Sequence, residues 1–345
     1  MLLMKPFHRA QASSRPHPKI EAFETIPLGA ENRSPILKTI TRVPLFLRLA
    51  KTMIRLRIRG GHRLVGIFEQ LGLLNVVAQY QLGRGVSFSV PLFRADTCWD
   101  LQDIEGYEKQ LINSFCRLLE PLPDVVLFDC GADIGTFSAL VCSHTSRVAR
   151  VIAFEPNPDV AGFMKRNLSQ LQVPSEAISK AVSSFEGAGR LEVPNYDNSD
   201  HARFLVPGDG PLEVVTIDSF GVRGGNVAIK IDVEGGELEV LKGAAETISS
   251  ARECVITVEA NPRVAMRTKR DPVECLRFLQ SLRLFSFVVA ETAESPLMSS
   301  PLIKDGQKAI CNVIGWTSEP AAPFVERLGR GADHCSAPVE TEPSI

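Results

Sequence analysis

The sequence predicts an α/β fold built on a mostly parallel sheet, and three observations carry that prediction. From Asp124 onward, short apolar runs alternate with segments of helical periodicity. This is the pattern of strands buried on both faces by the helices between them. The apolar run 125–128 ends at Asp129 and a glycine-bearing turn, Gly131 to Gly135, that opens a helix. A second apolar run, 227–231, likewise ends in carboxylates and glycines. Ligands of open α/β sheets bind beyond such strand ends.

The elements follow in order. Strands are expected at 76–82 and 86–91, with Gly83 and Gly85 between them as the turn of a hairpin. A helix is expected over 107–119. Strands are then expected at 125–129, 150–154, 177–181, 214–217, 227–232, 254–259, 285–289 and 309–315. Helices fit at 137–142, 160–171, 237–242 and 272–282. No internal repeat interrupts the series.

Composition bounds the rest. A chain of 345 residues, 44% hydrophobic and 23% charged, suits one sizeable soluble core with extensions. A net charge of −2 gives no global argument for nucleic acid, and none is expected as a partner. The eight cysteines form no C-x-x-C pair and no metal-like spacing. They are expected to be small buried hydrophobes in a reducing, cytoplasmic setting, and no metal site is expected. Residues 1–34, rich in Pro, Ser and charge, are expected to be a flexible leader, without the apolar stretch of a signal peptide. Residues 318–345 carry several prolines and are expected to be a disordered tail. Between these lie 35–120, a basic helical segment, hairpin and lead-in helix, and 121–317, the cofactor-binding domain.

No acidic residue occurs between Arg33 and Glu69, while Arg33, Lys38, Arg42, Arg48, Lys51, Arg55, Arg57, Arg59 and Arg63 do. Leu45, Leu49, Met53 and Leu56 recur at helical spacing, with Arg48, Lys51 and Arg55 on another face. A solvated helix packed on the domain through its leucines is the plain interpretation. A surface that meets an anionic membrane or a phosphorylated substrate is the sharper one, with peripheral membrane contact through 38–63.

The turn 129–135 narrows the ligand. A dinucleotide turn reads G-x-G-x-x-G, whereas here the glycines are spaced G-x-x-x-G with an acid before them. That acid disfavours a pyrophosphate and favours a cation. S-adenosylmethionine carries an ammonium and a sulfonium. Glu155 closes the next strand, where an acid can accept both hydrogens of a ribose diol. Either acid alone is an ordinary strand-end feature; the pair with the turn favours the methyl donor. Asp232 and Glu234 are delivered to the same crevice by strand 227–231. There they can cap the following helix or handle a proton. Glu259, after the next strand, and His201, in a polar loop, complete the candidate bases.

The run IKIDVEGGELEVLKGA at 229–244 closely resembles the signature of FkbM-type methyltransferases. The resemblance extends to FDCGADIGTFS, FEPNP, the Tyr107–Glu108 pair and KAVSS, covering about 76–316. It implies a Rossmann-like class I methyltransferase fold: a mostly parallel seven-stranded sheet with an antiparallel last strand and helices on both faces. It implies S-adenosylmethionine as cofactor and mostly O-methylation of a small molecule, sugar or lipid-linked glycan. By motif position, Asp129, Gly131, Ala132, Gly135 and Ser138 line the methionine end; Asp133 is a further cofactor-binding candidate in the turn, with no role assigned to it. Glu155 holds the ribose, Asn157 is a further cofactor-binding candidate beside it, and Ala181 and Val182 lie near adenine. Read from their positions at the strand ends, Asp232, Glu234 and Glu259 are the candidate catalytic acids, and Asp232 can equally contact the cofactor. Asp133 stands where the family usually has Asn, and Gly236 where it usually has Ala. The alternatives are an NAD(P)-dependent oxidoreductase and a non-catalytic module that binds cofactor.

Overall fold

The computed structural model describes residues 38–40, 45–56, 58–61, 63–64, 67, 71, 76–91, 104, 106–192, 204–260, 273–290 and 311–317. The leader 1–34, the tail 318–345 and His201 lie outside the described residues. The described residues from Lys38 onward form one compact unit.

Its centre is a seven-stranded sheet. The strands are β4 (Val125–Cys130), β5 (Val148–Phe154), β6 (Ser175–Ile178), β11 (Val227–Ile231), β12 (Cys254–Ala260), β13 (Ser286–Val289) and β14 (Cys311–Trp316). Their spatial order is β13-β14-β12-β11-β4-β5-β6. All run parallel except β14, which is antiparallel to both β12 and β13. This is the class I methyltransferase topology.

Strand alternation divides the core. On one face Leu127, Val151, Ala228 and Val255 pack under α2 (Lys109–Leu119), α3 (Thr136–His144) and α4 (Pro158–Leu168). On the other, Phe128, Ile152, Ile229 and Ile256 pack under α5 (Glu237–Lys242), α6 (Ala245–Ser250) and α7 (Glu274–Leu282). The hairpin β2 (Val76–Gln81) and β3 (Ser87–Pro91) joins the first face, and β1 (Lys38–Ile40) pairs with β2. Asn167 on α4 latches it there. Its amide nitrogen donates to the carbonyls of Ser89 (3.0 Å) and Ile134 (2.8 Å), and its oxygen accepts from the Ser89 N–H (2.8 Å). One buried amide thus ties the N-terminal hairpin to the turn after β4.

Three expectations need correction. The run 177–181 is not one strand: β6 ends at Ile178 in the main sheet, and Ala181–Val182 begins β7 of a second sheet. That sheet, ordered β7-β10-β8-β9, also takes β10 (Leu212–Val215), which periodicity alone had placed among the main strands. Its other members, β8 (Gly187–Glu192) and β9 (Phe204–Pro207), went unseen because GAGRLE reads as a glycine-rich loop. The third correction concerns α1 (Leu45–Arg55). Ala50 is buried, and Phe46 packs against the core, whereas Leu45, Leu49 and Leu56 face outward. The leucine stripe is not the packed face.

Candidate functional site

The chain leaves β4 for α3 on one face of the sheet and leaves β11 for α5 on the other. The adjacent carboxyl ends of β4 and β11 are therefore a topological switch point, where open α/β sheets bind ligands. Asp129 and Lys230 are direct neighbours in the parallel register of the two strands.

Asp129 is fully buried. Its Oδ2 accepts from the Ser138 hydroxyl (2.6 Å) and the Ser138 N–H (3.3 Å) on the first turn of α3. Burial pushes its carboxyl above the usual range, and Lys230 and the Ser138 bonds pull it back. Ser138 is itself fully buried, so its hydroxyl orients Asp129. Asp129 Oδ1 has no hydrogen-bond partner among the described residues, and Lys230 Nζ stands 3.9 Å away.

Lys230 is the residue that motif reasoning passed over. Its ammonium is buried, donating to the Gly131 carbonyl (2.9 Å) and pairing with Asp232 Oδ2 (3.0 Å). Burial alone lowers its pKa, but Asp232, Asp129 and Tyr107 more than reverse this and hold it well above its ordinary value. The signal was present: one charged residue in the otherwise apolar strand VAIKI must find buried partners. Tyr107 joins the same group, its phenol pushed up by burial with only partial relief from Lys230.

The turn itself is shaped by close packing. A Cβ on Gly131 would lie 1.9 Å from the Asp232 carbonyl oxygen, so glycine there lets β4 and β11 close on each other. The Gly131 and Ala132 N–H groups donate to the Phe154 carbonyl (3.1 and 2.9 Å). Gly135, at φ +85°, turns the chain into α3. Asp133 is left-handed (φ 51°), a conformation that Asn and Asp adopt more readily than other side chains, which explains the Asn-to-Asp exchange at this position. Its N–H donates to Glu155 Oε2 (3.1 Å), and the Asn157 N–H donates to Glu155 Oε1 (2.8 Å). Burial raises the Glu155 carboxyl despite these bonds. Ala181 and Val182 are buried in β7.

Beyond β11, Glu234 is exposed and left-handed (φ 58°). Glu237 opens α5 and accepts from the Gly235 N–H (2.8 Å); burial raises its carboxyl. Gly236 has an ordinary negative φ of −98°, and a Cβ there meets nothing nearer than 3.4 Å, so Ala fits equally well. Glu259 lies near the end of β12 on the same face as Lys230. Burial first, then the negative charges of Asp232, Glu234 and Glu237, push its pKa up to about 8. The structure thus brings Asp129, Lys230, Asp232 and Glu259 to one crevice, with Glu155 at the neighbouring strand end.

A single buried ammonium among these carboxylates leaves negative charge in excess. The bare Asp129 Oδ1 suits a cationic donor such as the ammonium of S-adenosylmethionine. Glu155, with two oxygens each already accepting one N–H, retains lone pairs for a ribose diol.

The family described as the methyltransferase FkbM domain matches residues 129–283. The hexuronic acid methyltransferase AglP of Haloferax volcanii is 32% identical over 194 residues, which cover 54% of this chain and 73% of that protein. Among solved structures, the methyltransferase FkbM of Methylobacillus flagellatus is 16% identical, with 78% of this chain and 76% of that chain covered and a TM-score of 0.36. M. jannaschii TYW2 in complex with AdoMet is 13% identical, with 70% and 84% covered and a TM-score of 0.37. The family match begins at Asp129 and takes in the whole carboxylate loop after β11, and the relationship to AglP spans nearly three-quarters of that relative. The chain belongs to the FkbM family of S-adenosylmethionine-dependent methyltransferases.

Proposed function

We propose that the protein methylates a hydroxyl oxygen of a sugar, either a free hexuronic acid or a glycan that contains one. The sugar class is supported by the relative that acts on a hexuronic acid. The choice of a hydroxyl rests on one observation: the crevice gathers Asp129, Asp232, Glu237 and Glu259 around one lysine. That field opposes placing the substrate's own carboxylate at the reacting position, and an alcohol, unlike a carboxylate, needs a base there.

Bound S-adenosylmethionine supplies an electrophilic methyl group on sulfonium. Asp129 holds the ammonium of the methionine end, steadied by Ser138. Glu155 takes the ribose, Asn157 shapes its loop, and Ala181 and Val182 flank the adenine. Lys230 fixes the Gly131 carbonyl and Asp232 in place. Glu259 accepts the acceptor's proton, with Asp232 and Glu234 setting its basicity. Membership of the family disfavours the dinucleotide oxidoreductase alternative.

The test is incubation with methyl-labelled cofactor and a panel of sugar acids and extracted glycans. Label is expected in a product that survives mild alkali, as a methyl ether does. Label released by alkali marks a methyl ester and contradicts the hydroxyl assignment. The base has its own signature. Only unprotonated Glu259 can take a proton, so kcat/KM is expected to rise with pH and level off near its pKa of about 8. Glu259→Gln is expected to lower kcat by about a hundredfold or more and to remove the slope. A slope that persists in this variant excludes Glu259 as the base.

A further inference from the structure

Eight large apolar side chains stand exposed among the described residues, and six of them lie between 45 and 71: Leu45, Leu49, Leu56, Ile58, Ile67 and Leu71. Leu45 is 80% exposed, Leu49 57% and Leu56 67%. At about 100° per residue these three leucines fall within about 40° of one another. They sit roughly a quarter-turn from Phe46 and Ala50, which face the core. Helix α1 therefore has two apolar arcs, and only one is packed. The stretch of sequence that carries this arc is charged with one sign only. Arg48, Arg59 and Arg63 are exposed, and no acid occurs between Arg33 and Glu69.

We propose that this face seats the enzyme on the surface of an anionic lipid bilayer, with the leucines in the interfacial layer and the arginines against headgroup phosphates. The combination selects that occupant. A second copy of the chain, meeting this patch symmetrically, would oppose one cationic surface to another. Nucleic acid satisfies the arginines and leaves the leucines in water. An anionic bilayer satisfies both, since binding there adds apolar burial to attraction for acidic lipid. No helix among the described residues is long and apolar enough to cross a membrane, and the contact proposed here is a peripheral one. This proposal is independent of which acceptor is methylated.

The test is co-sedimentation of the full chain with vesicles of phosphatidylcholine mixed with phosphatidylglycerol, against vesicles of phosphatidylcholine alone. The protein is expected to pellet with the mixed vesicles only, less so as salt rises. Arg48→Gln and Arg63→Gln are each expected to weaken partitioning about fivefold, and Leu45→Ser with Leu49→Ser to weaken it further. Binding of S-adenosylmethionine and the melting temperature are expected to stay at wild-type values in these variants. Three results overturn the proposal: no partitioning, equal partitioning onto neutral vesicles, or a wild-type dimer that Leu45→Ser with Leu49→Ser converts to monomer.

Discussion

Lys230→Met is expected to lower the unfolding free energy by about 3 kcal/mol and to abolish measurable binding of S-adenosylmethionine. The side chain is 5% exposed and lies between Asp232 Oδ2 at 3.0 Å and Asp129 Oδ1 at 3.9 Å. Removing one partner of a buried ion pair costs far more than the pair contributes, because the remaining charge is stranded in a poor dielectric. Methionine has a similar length, so the loss is one of charge and of the bond to Gly131 more than of volume. The pH dependence separates this cause from packing. Without the ammonium, Asp129 takes up protons more readily in the folded state than it does with Lys230 beside it. The variant's folded state then binds more protons, so its stability relative to wild type falls as pH rises through the carboxylate range. Its deficit should shrink as pH drops and the acids are neutralised. Chemical denaturation of both proteins across pH measures this; a deficit that stays constant points to packing instead.

Gly131→Ala is expected to cost about as much, by a different route. The backbone is at φ +75°, and the new methyl would lie 1.9 Å from the Asp232 carbonyl oxygen and 2.9 Å from its carbon. Left-handed backbone costs a non-glycine residue about 1–2 kcal/mol, and overpacking against another main chain adds about 1–3 kcal/mol. The strand ends of β4 and β11 must part, carrying Asp129 away from Lys230. Gly236→Ala, with φ −98° and a side-chain contact to Val233 Cγ2 at 3.4 Å, is expected to change the melting temperature little or to raise it slightly. Thermal unfolding of the two variants side by side shows whether the glycine at the turn is required by strand packing. Similar melting temperatures would refute that.

Much of this architecture was legible because its signals are redundant. The main strands are continuous apolar runs of the right length. The turn after β4 combines an acid, two glycines and a helix start, and IKIDVEGGE repeats that logic at the neighbouring strand. The features that escaped are those set by tertiary partners. In α1 the arc of Leu45, Leu49 and Leu56 is the stronger stripe by sequence, yet the arc of Phe46 and Ala50 is the one that meets the core. Helical spacing defines faces but does not choose between them. The second sheet was hidden because β8 carries two glycines, one of which packing demands: a Cβ on Gly189 would stand 2.9 Å from Val214 Cγ2. Asp133 had no assignable role from sequence because what matters there is its left-handed backbone and its N–H to Glu155. Lys230 was readable in principle, since a lone cation in a buried strand demands carboxylate partners.

The proposed role of Asp129 is to hold the ammonium of S-adenosylmethionine through its buried Oδ1, which has no hydrogen-bond partner among the described residues. Calorimetric titration of the cofactor into wild-type protein and into Asp129→Asn tests that most directly. Asn can keep the bond from the Ser138 N–H while losing the charge, so the fold should survive and the affinity should fall by about tenfold or more. Equal affinities in the two proteins would contradict the assignment of Asp129 and, with it, the placement of the methionine end beside Lys230.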